Sequence, residues 1–570
     1  MKISNKLAGI LAAVLIVLSL SVSTFYLTQK QGFHEDELLT YNLANSSKQL
    51  DTEGWNTAED FNEYLTAGKH RFDYANAYKN QIIDASHPPF YYFLVHTVCS
   101  FFPNVFSKYL AFIINIIMMG LSLLLIYKIG KRVTDNNLYA LIALGGYALS
   151  IACITMTFYL RMYCSLMFFC MAFMYLTLVI YDRKKDIKAL DYVLVFLTVL
   201  FGVLTQYYFI LFAGLTGLVM FIFSIKEKSI KSLLIYIGAC AAGFALAFAF
   251  YPYIITNVLG GNRGLGSISI DIDTVTIVTY IGYKLLTYVQ ILVKELFVGQ
   301  IWLLILLFIA AVGFGIYFRF IKKRKLNRKC CFIIVPAVVY FSLISLISPF
   351  NSDRYVAVSL PLISMLFSFT VIKIGGQILK ERAKIAVPAL VLAVSVLGII
   401  FVKPYYVYNT SSLNDVITKD CVFVGTEVME WNKCIDKFLK YDETMIVKTS
   451  DMSPTLASEL DNFAVKRGVV TNGKIGGFID GYIGSGEKTG DKTDSLKALK
   501  DDKKLKSLNE VTVYISRLAD NKKVIDYIKK NAGFDKYAII EKDKDFEEFY
   551  NWYDYFVETE SYCNVYKFYK

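Results

Sequence analysis

GFHEDELLTYNLAN, residues Gly32–Asn45, follows directly on the first long apolar segment of the chain. Its three consecutive acids, Glu35, Asp36 and Glu37, are therefore expected at a membrane surface. Carboxylates in that place are not needed to hold a helix in lipid. They suit a base that takes a proton from a hydroxyl group. The same acids would also serve to begin a solvated surface helix, whose N-terminus favours negative charge. The rest of the chain has to discriminate between these readings.

The 570 residues are 55% hydrophobic and 19% charged, with a mean hydropathy of +0.45. A soluble chain of this size is more polar, so an integral membrane protein is the expected class. About 20 apolar residues cross the hydrocarbon. By that rule eleven spans are expected, at 7–27, 105–127, 138–158, 162–181, 190–205, 206–224, 233–254, 299–318, 331–348, 355–374 and 386–403. Ser21-Val22-Ser23 matches a small-x-small cleavage site. The apolar run is long for a signal peptide, and the segment is read as a retained span.

The connectors alternate in charge. Lys2 and Lys6, then Lys128–Arg132, Arg183–Lys188, Lys226–Lys231, Arg319–Lys329 and Lys373–Lys384, fall on one side. With their flanks they carry 23 Lys and Arg against five Asp and Glu. Basic short loops stay in the cytoplasm. The expected location is the plasma membrane, multi-pass, with the N-terminus cytoplasmic and the C-terminal domain extracellular. The net charge of +12 is then a topology signal, and no nucleic-acid partner is expected.

Two outer connectors are long. Residues 28–86 are polar and acidic, with Leu38, Leu39, Leu43 and Leu50 spaced for a helix lying on the surface. Residues 256–300 open with GGNRGLG and continue as Val275–Leu296, apolar but carrying Lys284, Lys294 and Glu295, which reads as an interfacial helix. The tail, 404–570, has a soluble composition. Strands are expected at Cys421–Gly425, Thr444–Lys448, Val511–Ser516 and Tyr537–Glu541, and helices at Val428–Leu439 and Asn521–Asn531. The fold class is thus an all-α polytopic membrane domain, 1–403, with about eleven transmembrane helices, followed by a C-terminal extracellular α/β domain. Three cysteines fall in that tail, Cys421, Cys434 and Cys563. Their spacing is not that of a metal site, and a single bridge among them stays open.

Sugar transfer from a phosphate donor needs few parts: a carboxylate base and a cation for the departing phosphate. Asp36 and Glu37 are candidates for the base. His87-Pro88-Pro89 closes the same loop, and the prolines stop one helix and start the next. His87 held there either touches an acceptor or phosphate, or caps a turn. Arg161, in YLRMYCSLMFF, and Arg354, after SPFNSD, are the candidate cations. A charge embedded in a membrane protein points to function and guanidinium matches phosphate oxygens, although an arginine near the interface also snorkels at little cost. GGNRGLG and Gly481–Thr489, GYIGSGEKT, look like phosphate-binding turns but lack the strand context or the spacing.

An acidic pair soon after the first span, an HPP motif closing the first outer loop, an RMY at Arg161-Met162-Tyr163 and a late RY at Arg354-Tyr355 resemble a family. It is the protein O-mannosyltransferase and aminoarabinose transferase-like superfamily, in its Gram-positive bacterial branch. The resemblance covers residues 1 to about 400. It implies a GT-C fold and a polyprenyl-phosphate sugar as co-substrate. It also implies an inverting, metal-independent transfer that needs no cofactor. Carried onto this sequence, it makes Asp36 the base, with Glu37 assisting or positioning it. It puts His87 in the cleft and Arg161, Tyr163, Arg354 and Tyr355 at the substrate. The expected acceptor is an extracellular hydroxyl of a wall polymer, a glycolipid or a protein, and the other partner is membrane lipid. The competing reading is a transporter or lipid flippase of the cell envelope, which would carry charged or broken segments near the bilayer midplane.

Overall fold

The computed structural model describes residues 3–30, 32–183, 186–260, 274–316, 327–348, 352–378, 382–402, 418–426, 431, 434–449, 496–516, 519–541 and 563–570. GGNRGLG beyond Gly260, GYIGSGEKT and residues 428–430 and 432–433 lie outside the described residues, and of the helix expected at Val428–Leu439 the described part is a short helix, Ile435–Phe438.

The first helix, Asn5–Gln29, starts where the Ser4 side chain accepts from Leu7 N. It contains no charge after Lys6, and buries a stripe of mostly small residues, Ala8, Ala12, Ser19, Ser23 and Leu27. Small residues at this spacing let helices approach closely in lipid. The stripe packs on Lys108–Thr134, Asn137–Ala148 and Ile151–Phe158. Polar side chains in the stripe are bonded to backbone: Ser19 Oγ donates to Ala148 O, and Ser23 Oγ donates to Ser19 O at 3.0 Å.

Among the described residues, seven helices are long and apolar enough to cross a membrane, and up to nine if each of two bent pairs is one span. The chain is a polytopic membrane protein, and its described residues hold fewer full-length spans than the eleven expected. The expected span 138–158 is broken into Asn137–Ala148 and Ile151–Phe158, bent by 57°. Ser150 makes the break by capping the second piece, its hydroxyl accepting from Cys153 N at 3.3 Å. The expected 190–205 and 386–403 correspond to apolar helices too short for that length, Ala189–Val203 and Ala386–Phe401. The helix expected at Val275–Leu296 runs Thr274–Phe297. It meets the next apolar helix at 92°. Val298 (φ 58°) and Gly299 (φ 73°) supply the left-handed corner.

The first loop departs furthest from expectation. Its acidic helix, Glu35–Asn45, is not a surface helix: Leu38, Tyr41, Leu43 and Ala44 are buried, and so are Asp36, Glu37, Thr40 and Asn45. Ala58–Leu65, Tyr74–Asp84 and Phe90–Phe101 close around it. Tyr41 ties it to the second long helix, its hydroxyl donating to Ser107 O at 2.6 Å and accepting from Ala111 N at 3.1 Å.

The same loop contributes an edge strand to the sheet of the tail. The strands are β1 Trp55–Thr57, β2 Asp420–Gly425, β3 Glu443–Lys448, β4 Glu510–Ser516, β5 Lys536–Glu541 and β6 Cys563–Tyr569. Their order is β1-β3-β2-β4-β6-β5. β2 is parallel to both β3 and β4 and buried along its whole length, so CVFVG reads as a continuous apolar run. β1 runs antiparallel to β3, with Trp55 opposite Met445. The loop and the tail therefore lie on one side of the membrane. Apolar packing reinforces the pairing: Phe61 meets Phe438 at 5.4 Å, Tyr64 meets Trp431 at 5.6 Å, and the Lys504 ammonium sits 4.3 Å over the Trp55 ring.

Phe438 is fully buried and also touches Phe423 and Tyr514. Phe438→Ala is expected to cost about 3–5 kcal/mol and to open residues 58–65 to protease. The thermal midpoint of the purified protein and limited proteolysis followed by mass spectrometry check both effects.

Candidate active site

The turn of acids is held by a capping box. His34 is the N-cap: its Nδ1 accepts from Asp36 N at 3.0 Å, while its own N–H donates to Glu37 Oε2 at 2.8 Å. This reciprocal satisfaction of first-turn donors fixes the entry of the chain into the helix. Glu37 is then fully used. Its Oε2 also receives Lys30 Nζ at 2.8 Å, with both side chains wholly buried, and its Oε1 accepts from Leu160 N at 2.8 Å. Burial pushes the Lys30 ammonium below its ordinary range, and the Glu37 charge pulls it back up. Asp436, from the tail helix Ile435–Phe438, adds its field to the same lysine. Burial raises the pKa of that aspartate above its ordinary value. Glu37 is thus a bracket between the first span, the acidic helix and the Leu160 turn.

Asp36 faces the opposite way. Its Oδ2 accepts from Tyr159 Oη at 3.1 Å and from Arg354 Nη1, and its Oδ1 stands 3.5 Å from Arg161 Nη2. Two guanidinium groups thus share one carboxylate that is only 4% exposed.

Tyr159, Leu160 and Arg161 occupy the irregular link between Ile151–Phe158 and Tyr163–Arg183. Irregular backbone at this depth is tolerated where protein covers it. Arg161 is 1% exposed, and both ends of its fork are engaged. Nη1 donates to Asp36 O at 2.9 Å, Thr40 Oγ1 at 3.1 Å and Tyr92 Oη at 3.2 Å. Nη2 lies 3.3 Å from His87 Nε2. Because a guanidinium has only donors, His87 Nε2 must accept, and the ring proton belongs on Nδ1, which stands 3.0 Å from Asp84 Oδ2. The HPP turn thereby presents a neutral imidazole to Arg161.

Arg354 is set differently. Its peptide N–H donates to Asp353 Oδ1 at 2.8 Å, and its guanidinium lies 5.4 Å over the Tyr355 ring. Tyr355 in turn packs edge-on to Tyr208, and Tyr163 stacks on Tyr159. The helix Thr274–Phe297, through its buried residues Lys284 and Tyr288, tethers the segment ahead of Arg354. Lys284 Nζ donates to Ser348 O at 2.9 Å, and Tyr288 Oη lies 2.6 Å from Ser348 Oγ and accepts from Ser352 N at 3.4 Å.

Asp36, Glu37, His87, Arg161, Tyr163, Arg354 and Tyr355, which are scattered over more than half the sequence, are brought together here. Lys30, His34, Thr40, Tyr92 and Tyr159 join them without having been assigned a role. The capping-box spacing of His34 and Glu37 was a usable signal for one of these. Of the other four, Thr40 and Tyr159 lie inside stretches quoted for Asp36 and Arg161, but a threonine, a tyrosine or a lysine there carries no distinguishing signal of its own. Among the described residues, no group of three or more His, Cys, Asp or Glu could hold a metal ion.

Breaking a buried ion pair strands the remaining charge, at a cost of about 3–5 kcal/mol. Lys30→Met is expected to destabilise the protein by that amount. Adding Glu37→Gln, which removes the stranded charge and keeps an acceptor for Leu160 N, is expected to recover part of it. Denaturant unfolding of the single and double variants measures the difference.

No family model matches the chain, and no curated protein matches it in sequence. Among solved structures it is similar to ArnT from Cupriavidus metallidurans bound to undecaprenyl phosphate. The identity is 11% and the TM-score 0.48, over 97% of each chain. It is also similar to the archaeal oligosaccharyltransferase AglB from Archaeoglobus fulgidus in complex with an inhibitory peptide and a dolichol-phosphate. There the identity is 13% and the TM-score 0.39, over 76% of this chain and 64% of that one. At such low identity the roles of Asp36 and its neighbours rest on their own geometry.

Proposed function

We propose that the chain is a membrane glycosyltransferase that moves a sugar from a polyprenyl-phosphate donor to an acceptor hydroxyl outside the membrane. The observation that carries this reading is Asp36 held jointly by Arg161, Arg354 and Tyr159. A carboxylate beside guanidinium groups at the end of apolar helices supplies both parts the chemistry needs, a base and a fixed cation for developing phosphate charge.

In the proposed reaction the acceptor oxygen attacks the anomeric carbon from the face opposite the phosphate, which inverts the centre. The acceptor O–H proton passes to Asp36, and the C–O bond to the phosphate breaks with its electron pair going to the phosphate oxygen. Guanidinium meets that charge, so neither a metal nor a general acid enters the scheme. Arg161 has both nitrogens of its fork committed to protein groups, which favours Arg354 as the main phosphate contact. His87 then acts through Arg161, and Glu37 through the Leu160 turn, as positioning residues. The isoprenoid chain would lie between apolar helices. The basic connectors support a cytoplasmic N-terminus, and the sheet shared by loop and tail supports placing both outside.

Asp36→Asn is expected to lower transfer about 100-fold or more while the protein still folds and binds polyprenyl phosphate. Mass spectrometry of wall polymers, lipids and secreted proteins from cells with and without the chain identifies the product, and purified variants measure turnover. Undiminished transfer by the asparagine variant would remove Asp36 as base. Movement of labelled lipid between leaflets with no new glycosidic bond would replace the reading with transport.

A further inference from the structure

We propose that Arg354 is handed from Asp36 to the donor's phosphate, so that donor binding releases the base and precedes productive acceptor binding. The inference rests on the proposed function and adds an order of events to it. Asp36 is nearly buried with both oxygens engaged, and a carboxylate bound to guanidinium is stabilised as an anion and is correspondingly slow to take a proton. Something must withdraw a cation before it can act.

The two arginines are unequal in this respect. Arg161 uses both Nη1 and Nη2 and is anchored from the acidic helix, the HPP turn and the helix Phe90–Phe101. Side-chain hydrogen bonds from Arg354 all leave Nη1, to Asp36 and to Tyr159 Oη at 2.6 Å. Its Nη2 makes no hydrogen bond among the described residues, unlike that of Arg161, and its buried Nε, like that of Arg161, has no acceptor among them. It therefore has donors to offer a phosphate in bidentate fashion, and the Tyr355 ring provides a surface over which the guanidinium can turn. Tyr159 is the pivot: bonded to both Asp36 and Arg354, it keeps the carboxylate in place when the arginine leaves. After transfer the phosphate carries one more negative charge, held by Arg354, and the proton rests on Asp36. Loss of that proton and departure of polyprenyl phosphate let the pair re-form.

The test is equilibrium binding of undecaprenyl phosphate to the full chain in lipid nanodiscs, with undecaprenol as the uncharged control. If Asp36 competes for Arg354, Asp36→Asn should bind the phosphate lipid roughly tenfold more tightly, with undecaprenol unaffected. Arg354→Gln should bind it more weakly, and adding Asp36→Asn to that variant should change nothing. Equal or weaker binding by Asp36→Asn, or a gain that persists without Arg354, would overturn the handover and leave the transferase reading standing. Wild-type protein that prefers undecaprenol or shows no preference would overturn both. Asp36→Ser gives the same comparison if the asparagine variant fails to fold.

A second observation stands apart from the site. In the tail, Cys434 Sγ and Cys563 Sγ lie 3.7 Å apart and are buried. Cys434 precedes the helix that packs on Phe61 of the first loop, and Cys563 opens β6 opposite Ser516. We infer that the two form a disulfide as the tail folds outside the membrane. Each thiol gives up a proton and an electron, and the disulfide of an exported thiol–disulfide oxidoreductase is reduced to a dithiol. Protein denatured in iodoacetamide without reductant, then digested, should yield a Cys434–Cys563 linked peptide with Cys421 alkylated. Recovery of Cys434 and Cys563 both alkylated would overturn the inference.

Discussion

The structure depends on keeping two guanidinium groups and one carboxylate together at the end of a bundle of apolar helices. A charge taken out of water costs several kcal/mol unless partners replace the lost hydration, and Arg161 is almost wholly enclosed. Its partners come from separate parts of the first loop: a peptide oxygen and a threonine from the acidic helix, a tyrosine from Phe90–Phe101, and the imidazole of the HPP turn. To satisfy one arginine the loop has to fold back on itself. The path of residues 32–92 is thus prescribed by electrostatics as much as by apolar burial.

The two adjacent acids divide the work by direction. Successive residues on a helix point about 100° apart, so Asp36 and Glu37 cannot serve the same partners. Glu37 turns inward to Lys30 and the Leu160 peptide, and Asp36 turns to the arginines. A fixed carboxylate beside the proposed base supports that proposal, since the geometry of a site is only as good as the support behind it. Lys30 is the C-cap residue that follows the first helix, and it feels Asp436 of the tail. The support therefore reaches from the first helix into the tail.

Much of the architecture was legible because hydropathy and basic connectors are long-range, redundant signals. Four strands of the tail announced themselves as apolar runs and appear at nearly the expected places. β1 escaped because three residues carry no periodicity, and it exists only because β3 offers an edge. The break at Ser150 escaped because a run of about 20 apolar residues hides a single cap. In the site, charged residues in apolar surroundings stood out. Tyr159, Tyr92 and Lys30 did not, since a tyrosine or a lysine at a membrane boundary is commonplace, and only the folded chain shows which ones are turned inward. The acidic helix was assigned to the surface because its leucine spacing is amphipathic. Its polar face is in fact covered by the cations it attracts.

The pairing of Trp55 with Met445 has a consequence for biosynthesis. The strand that carries Trp55 emerges early, and its partner emerges only after the last apolar helix has been made. At ordinary translation speeds that interval is on the order of tens of seconds. During this time the acidic helix must wait beside the membrane without the platform that will cover it. A nascent chain halted before β3 would carry every residue of the charged cluster and still lack the scaffold that locks it, so competence arrives with the end of synthesis.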